Sequence, residues 1–341
     1  SRDLPRGNWE EYLPQEGVQS VALAPIRTRR LRLRFMGSHP IHIPFARFRC
    51  GARMDNWEAH SGRSLRELLN GASAPAAAPI APEAIRDVTD LCAGGTFCGS
   101  LPAGEWTLLR VGHVNSGFEN GPAPSCATGW ECDKLDPRGI EANFDAYVGR
   151  LLKGPLAGGR LKGILLDSWE AWRPGWTWRM EAYFQELKGY ALRLKLPALF
   201  GYVIGDAEAT KVFLYDWRDV VSTLIERNFF RRMVELAHER GIECQYETAF
   251  GDVLPGDILR YWKWCDTPMC EFWHPHRNDG YVGSWQNKPV RPCVSAAHLY
   301  GKRRVAAEAF TSFELSWNES PRLFKRTADI HLARGVTHLV F

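Results

Sequence analysis

From Trp106 to its end, the chain alternates short apolar runs with longer stretches whose apolar residues recur at helical spacing. The short runs are Thr107–Val111, Gly163–Leu166, Glu243–Glu247, Pro268–Phe272, Val305–Glu308 and Thr337–Phe341. Their lengths suit buried strands. Between them the i, i+3, i+4 pattern predicts helices over Ile140–Leu152, Phe213–Glu239, Gly256–Trp264, Cys293–Tyr300 and Pro321–Ala333. Pro321 fits the first turn of its helix, and Ser320 is placed to cap it. Regular alternation of strand and helix favours a parallel sheet covered by helices. An open doubly wound sheet normally carries a glycine-rich phosphate turn after its first strand. Here that loop is Gly112-His-Val-Asn-Ser-Gly117, which lacks the GxGxxG spacing. The expected α/β architecture of residues 106–341 is therefore a TIM-type barrel, of which about six β/α units are counted.

Residues 1–105 read differently. Strand-like runs (Val18–Leu23, Leu31–Phe35, Ile41–Arg49) are broken by Pro and Gly, and no long helical period intervenes. Ser64–Leu69 predicts a helical turn or two, and the Pro- and Ala-rich Gly71–Pro82 predicts an exposed linker. A β-rich accessory domain or insertion is expected here. A chain of 341 residues, 45% hydrophobic, is long enough to bury a sizeable core and to hold two domains. Its 43 basic and 39 acidic residues nearly balance. The basic stretch Arg27–Arg34 alternates arginine with Leu31 and Leu33, as a half-exposed strand does, so nucleic acid is not an expected partner. No apolar stretch reaches the length of a membrane span. The nine cysteines form no CxxC pair and read mostly as small buried hydrophobes, with a bridge or two left open. Without an initiator Met and ending on the apolar run Thr337–Phe341, the chain reads as a fragment. Absence of a signal peptide is then silent on location, and a secreted or periplasmic address in a bacterium suits the full-length parent. Oligomeric state is not legible.

The ends of the expected strands carry the chemistry. They are Asp167-Ser-Trp-Glu170, Tyr246-Glu247, Glu271-Phe-Trp-His274 and Glu308-Ala-Phe310. A barrel gathers such ends around one mouth. Breaking a glycosidic bond needs one protonated carboxyl for the leaving oxygen and one carboxylate to activate water or attack the sugar. Glu170 and Glu308 are the candidate pair, their roles divided by apolar walls and neighbouring charge. Asp167, Trp169, Trp172, Glu247, Trp273 and His274 are candidate substrate-binding residues; the tryptophans serve equally well as packing for their own loop. Glu271, with His274, His276 and Asp279 nearby in sequence, is a candidate metal ligand. Oxygen-rich surroundings favour Ca²⁺ over Zn²⁺. No GxSxG motif supports serine chemistry.

Several segments, in order, resemble the α-L-rhamnosidases of glycoside hydrolase family 106. They are Gly112-His-Val-Asn-Ser-Gly117, Pro122-Ala-Pro124, Gly129-Trp-Glu-Cys-Asp-Lys-Leu135, Leu166-Asp-Ser-Trp-Glu170, Phe213-Leu-Tyr-Asp-Trp-Arg218, Cys270-Glu-Phe-Trp273, Ala296-Ala-His-Leu-Tyr-Gly301 and Ala307-Glu-Ala-Phe-Thr311. The resemblance implies a (β/α)8 barrel whose first two strands lie upstream of Ser1. It also implies inverting, calcium-assisted hydrolysis of terminal α-L-rhamnosyl groups on plant or microbial glycans. By the same carry-over Glu170 is the general acid, Glu308 the general base and Glu271 a ligand of an ion that touches sugar hydroxyls. Trp172-Arg-Pro-Gly-Trp176 departs from the more polar stretch expected there, which leaves the sugar open. Two other readings stand beside this one. They are a non-catalytic carbohydrate-binding barrel, and a retaining barrel glycosidase of other specificity.

Overall fold

The structure, a computed structural model, describes residues 29, 53–54, 57–62, 78–120, 123–169, 174–248, 256–273, 290–311, 317 and 319–341. The strand-like runs expected before residue 50 and the Ser64–Leu69 turn lie outside the described residues; so do Glu170, Trp172 and His274. In chain order the helices are α1 (Trp57–His60), α2 (Pro137–Phe144), α3 (Arg150–Lys153), α4 (Met180–Lys188), α5 (Ala207–Leu224), α6 (Arg232–His238), α7 (Ile258–Tyr261), α8 (Val290–Leu299) and α9 (Pro321–Ala333). Strands are β1 (Cys92–Ala93), β2 (Thr96–Phe97), β3 (Gly163–Leu166), β4 (Glu243–Tyr246), β5 (Thr267–Trp273), β6 (Ala306–Thr311) and β7 (His338–Val340). π-Helical segments Asp145–Gly149 and Ile225–Arg231 join α2 to α3 and α5 to α6, so the expected long helices run through with one widened turn each.

Two compact units emerge, Ser1–Gly112 with Glu181–Arg218, and His113–Met180 with Asp219–Phe341. In the first, β1 and β2 form a small antiparallel pair, and Ile80 bridges Ile204 in parallel. Arg193 forks between Glu181 and Asp87 at its surface. Thr107–Val111, expected as a strand, carries none: Leu108 is 61% exposed, and the run finds no ladder partner among the described residues. A strand without a neighbour has nothing to satisfy its backbone N–H groups or cover its apolar face.

The second unit holds the five-stranded sheet, in the order β3-β4-β5-β6-β7, with every neighbouring pair parallel. Asp136 starts α2, its carboxylate accepting the Arg138 N–H at 3.0 Å, with Pro137 in the first turn. Pro321 opens α9 as expected, but the Ser320 side chain makes no capping bond. The Ser320 carbonyl instead accepts the Leu323 and Phe324 N–H groups. Where β4 begins, Asp266 accepts the Cys244 N–H at 2.7 Å and also bonds His238. Alternate residues of the sheet turn toward the helices and are apolar: Cys244, Tyr246, Cys270, Phe272 and Ala307 are all buried. Four described cysteines are buried and unpaired, in keeping with small hydrophobes, whereas Cys92, Cys98 and Cys126 are exposed thiols.

Phe230, on the helix side, packs against Tyr246 at 4.8 Å and Tyr261 at 5.0 Å between ring centroids. It is 1% exposed. Phe230→Ala should therefore lower stability by about 3–5 kcal/mol, read as a reduced urea midpoint; a loss below about 1 kcal/mol would mean the site collapses freely around the gap.

Candidate active site

Parallel register carries four carboxylates onto the face turned away from the helices. Leu166 pairs with Tyr246, and the Glu247 N–H donates to the Leu166 carbonyl at 3.1 Å, so Asp167 and Glu247 follow in step. Gln245 pairs with Thr267, and Glu271 pairs directly with Glu308. Successive side chains alternate sides, so Asp167, Glu247, Glu271 and Glu308 fall on the same face. An oxygen from each of Asp167, Glu247 and Glu308 lies within 4.8 Å of the others.

Their surroundings differ. Asp167 is exposed and its Oδ1 accepts the Ser168 N–H at 2.8 Å. Glu271 is buried and accepts the indole N–H of Trp273. Glu308 is half-buried and accepts the Thr311 hydroxyl. Glu247 is only 2% exposed, and its Oε1 has no hydrogen-bond partner among the described residues. Burial first, and then the charges of Glu271, Glu308 and Asp167, push its carboxyl up to about 10. Such a set of hard oxygens around an orphaned buried oxygen fits a divalent cation of the Ca²⁺ type. The residues that converge on it are Asp167, Glu247 and Glu308, whereas Glu271 stands beside them with one oxygen engaged by Trp273.

Among the expected aromatic contacts, Trp169 and Trp273 are both buried. Trp169 meets Phe229 edge-on at 5.3 Å, and the Lys134 ammonium lies 5.3 Å from its ring centre. Trp178 is 60% exposed, but its indole N–H donates to Asp136 and the Arg138 guanidinium covers its ring at 4.3 Å. Thr311, which donates its hydroxyl to Glu308, is a contributor that sequence reasoning passed over. Thr311 follows Glu308 at a spacing that a regular strand would turn to the other face.

That regularity breaks at Phe310. Phe272 pairs with Ala309 but Trp273 with Thr311, leaving Phe310 as an extra residue in β6. Its φ is 64°, in the left-handed region that a bulky residue enters only at a cost of about 1–3 kcal/mol.

The family model for alpha-L-rhamnosidase, glycoside hydrolase family 106, matches residues 15–341, and the chain belongs to this family. Over 290 residues it is 32% identical to a Formosa agariphila protein named "Putative beta-glucuronidase", covering 84% of this chain and 24% of that one. The solved structure of a rhamnosidase from Novosphingobium sp. PP1Y superposes with a TM-score of 0.69 at 28% identity, over 86% of this chain and 29% of that one. The chain thus spans about a quarter of the length of each (24% and 29%).

With no divalent cation present, Glu247 holds its proton more tightly folded than unfolded. Its contribution to stability is complete below the ordinary carboxylate value of 4.5 and is lost as pH rises toward about 10. In EDTA, Glu247→Gln should raise the melting temperature at about pH 8 and leave it little changed at about pH 4. Equal melting temperatures at the higher pH would show that Glu247 is not strained by its neighbours.

Proposed function

We propose that this chain forms part of a (β/α)8 glycoside hydrolase barrel that removes terminal α-L-rhamnosyl groups from plant or microbial glycans. The observation that carries the reading is the convergence of Asp167, Glu247 and Glu308 at the C-terminal ends of parallel strands, in a chain of family 106. On this reading β3 to β7 are the fourth to eighth barrel strands, and residues 1–105 are an accessory domain or insertion. Glu170, the residue after the buried Trp169, is the general acid that protonates the leaving oxygen. Glu308 is the general base, its carboxylate held by Thr311 while it takes the proton of the attacking water. Asp167 and Glu247 would hold Ca²⁺, with Glu271 and Glu308 alongside; the ion, when bound, offsets the repulsion among the four and offers positive charge to sugar hydroxyls.

Charge bears on which sugar enters. The Formosa relative's name points to a glucuronide, whose carboxylate would meet at least four acidic side chains at these strand ends. Rhamnose is a neutral 6-deoxy sugar and suffers no such repulsion. This favours the rhamnoside, in line with the name of the Novosphingobium structure.

Replacing Glu308 or Glu170 by Gln in the full-length protein should cut kcat on 4-nitrophenyl α-L-rhamnopyranoside by about 10²–10⁴-fold. Parent-like turnover in either variant removes that residue from the mechanism, and faster hydrolysis of the β-D-glucuronide by the parent would reverse the sugar assignment. Chelation with EDTA should lower the melting temperature, and Ca²⁺ should restore it in a concentration-dependent way. Asp167→Asn should abolish that response; an unchanged response to Ca²⁺ would place the ion elsewhere.

A further inference from the structure

We propose that Thr311 is a positioning residue for Glu308, delivered to the carboxylate face by the left-handed turn of Phe310. The inference rests on the reading of Glu308 as the general base and extends it to the residue that aims the base.

In an unbroken strand Glu308 and Phe310 would share one face, and Ala309 and Thr311 the other. A Phe310 ring on the carboxylate face would sit among the acids, and the Thr311 hydroxyl would point into the helix-side core. The structure shows the reverse. The Phe310 ring lies 5.2 Å from Phe272, 4.4 Å from Phe324 of α9 and 5.7 Å from Phe341, all on the helix side. The Thr311 hydroxyl donates to Glu308 Oε1. Only a residue that resets the alternation allows both contacts, and Phe310 does so at φ 64° as the extra residue of the bulge.

The neighbouring strand provides an internal comparison. On β5, Trp273 follows Glu271 by two residues, stays on the same face without any bulge, and donates its indole N–H to Glu271 Oε1. Thr311 and Trp273 are paired across the two strands, two rungs above the Glu271–Glu308 pair and next above it on the same face. Both strands thus carry the same device, a carboxylate with its donor on the next rung of its own face. In β6 that rung is reached only after an additional residue. A Thr hydroxyl held in this position fixes the carboxylate rotamer and occupies one oxygen, leaving the other to receive a proton.

Full-length parent, Thr311→Val, Thr311→Ser, Glu308→Gln and the Glu308→Gln/Thr311→Val double variant are compared on 4-nitrophenyl α-L-rhamnopyranoside. Val keeps the shape and removes the donor, and should lower kcat by about 10–100-fold with KM nearly unchanged. Ser should restore most of it. In the Glu308→Gln background Thr311→Val should cost nothing further, because the partner it serves is gone. Parent-like kcat in Thr311→Val, equal losses in both backgrounds, or no recovery with Ser would each overturn the inference. A fully active Glu308→Gln instead sinks the general-base reading itself. Should Thr311→Val not fold, Phe310→Asn against Phe310→Val gives the same decision. Both lose the ring, but Asn tolerates the left-handed region and Val does not. Asn should retain about tenfold more kcat than Val; equal values would overturn the proposal.

Discussion

Everything at this site depends on the two-residue alternation of parallel strands that are covered on one side. Cys244, Tyr246, Cys270, Phe272 and Ala307 are buried against helices, and that face admits no charge. Because the period is two, the same constraint sends Asp167, Glu247, Glu271 and Glu308 to the opposite side. A slip of one residue in β4 or β5 would drive a carboxylate into the helix-side core, at a penalty far larger than any local preference of the chain. Hydrophobic packing behind the sheet is therefore what assembles the acids in front of it. Phe230 between Tyr246 and Tyr261, and Phe272 stacked at 3.9 Å on His331, are as much part of the site's construction as the carboxylates.

Gathering like charges in a half-buried space is unfavourable unless each finds a donor or a counter-charge. The four acids are provided for unequally. Asp167 has the Ser168 N–H, Glu271 the Trp273 indole and Glu308 the Thr311 hydroxyl. Glu247 is the deepest of the converging three, and its Oε1 is left bare among the described residues. Its raised carboxyl value is the electrostatic signature of that omission. A group so placed takes up either a proton or a cation. Above the ordinary carboxylate range a cation relieves more of the strain, since it compensates Asp167 and Glu308 at the same time.

Much of this was legible in the sequence because it rests on patterns of period two and 3.6. Gly163–Leu166, Glu243–Glu247, Pro268–Phe272, Val305–Glu308 and Thr337–Phe341 each overlap a strand of the sheet, with ends differing by at most three residues. Three of the acids at their ends, Asp167, Glu247 and Glu308, lie together in the structure. The exceptions have physical causes. Thr107–Val111 has the composition of a strand but no ladder partner among the described residues. The α4 helix was overlooked because Met180–Lys188 follows a tryptophan-rich loop that reads as irregular. The role of Thr311 was invisible because a bulge inverts the parity on which such readings rely. Glu247 was seen as a contact for substrate. Its position as the unsatisfied centre of the acids follows only from burial and from three neighbours on other strands, which no local window contains.

The aromatic residues show why burial has to be known before a tryptophan is given a role. A ring that stacks on a sugar must present an open face, as an exposed indole beside a cleft does. Trp169 is 4% exposed, with Phe229 against its edge and Lys134 near its face, and Trp273 is 6% exposed. These two act as walls. Trp273 donates its indole N–H to Glu271 in buried surroundings, where a hydrogen bond to a carboxylate is strengthened. Burial likewise raises the cost of leaving Glu247 Oε1 unpaired. The tryptophans thus act on this site through the electrostatics of the carboxylates rather than through an open stacking face.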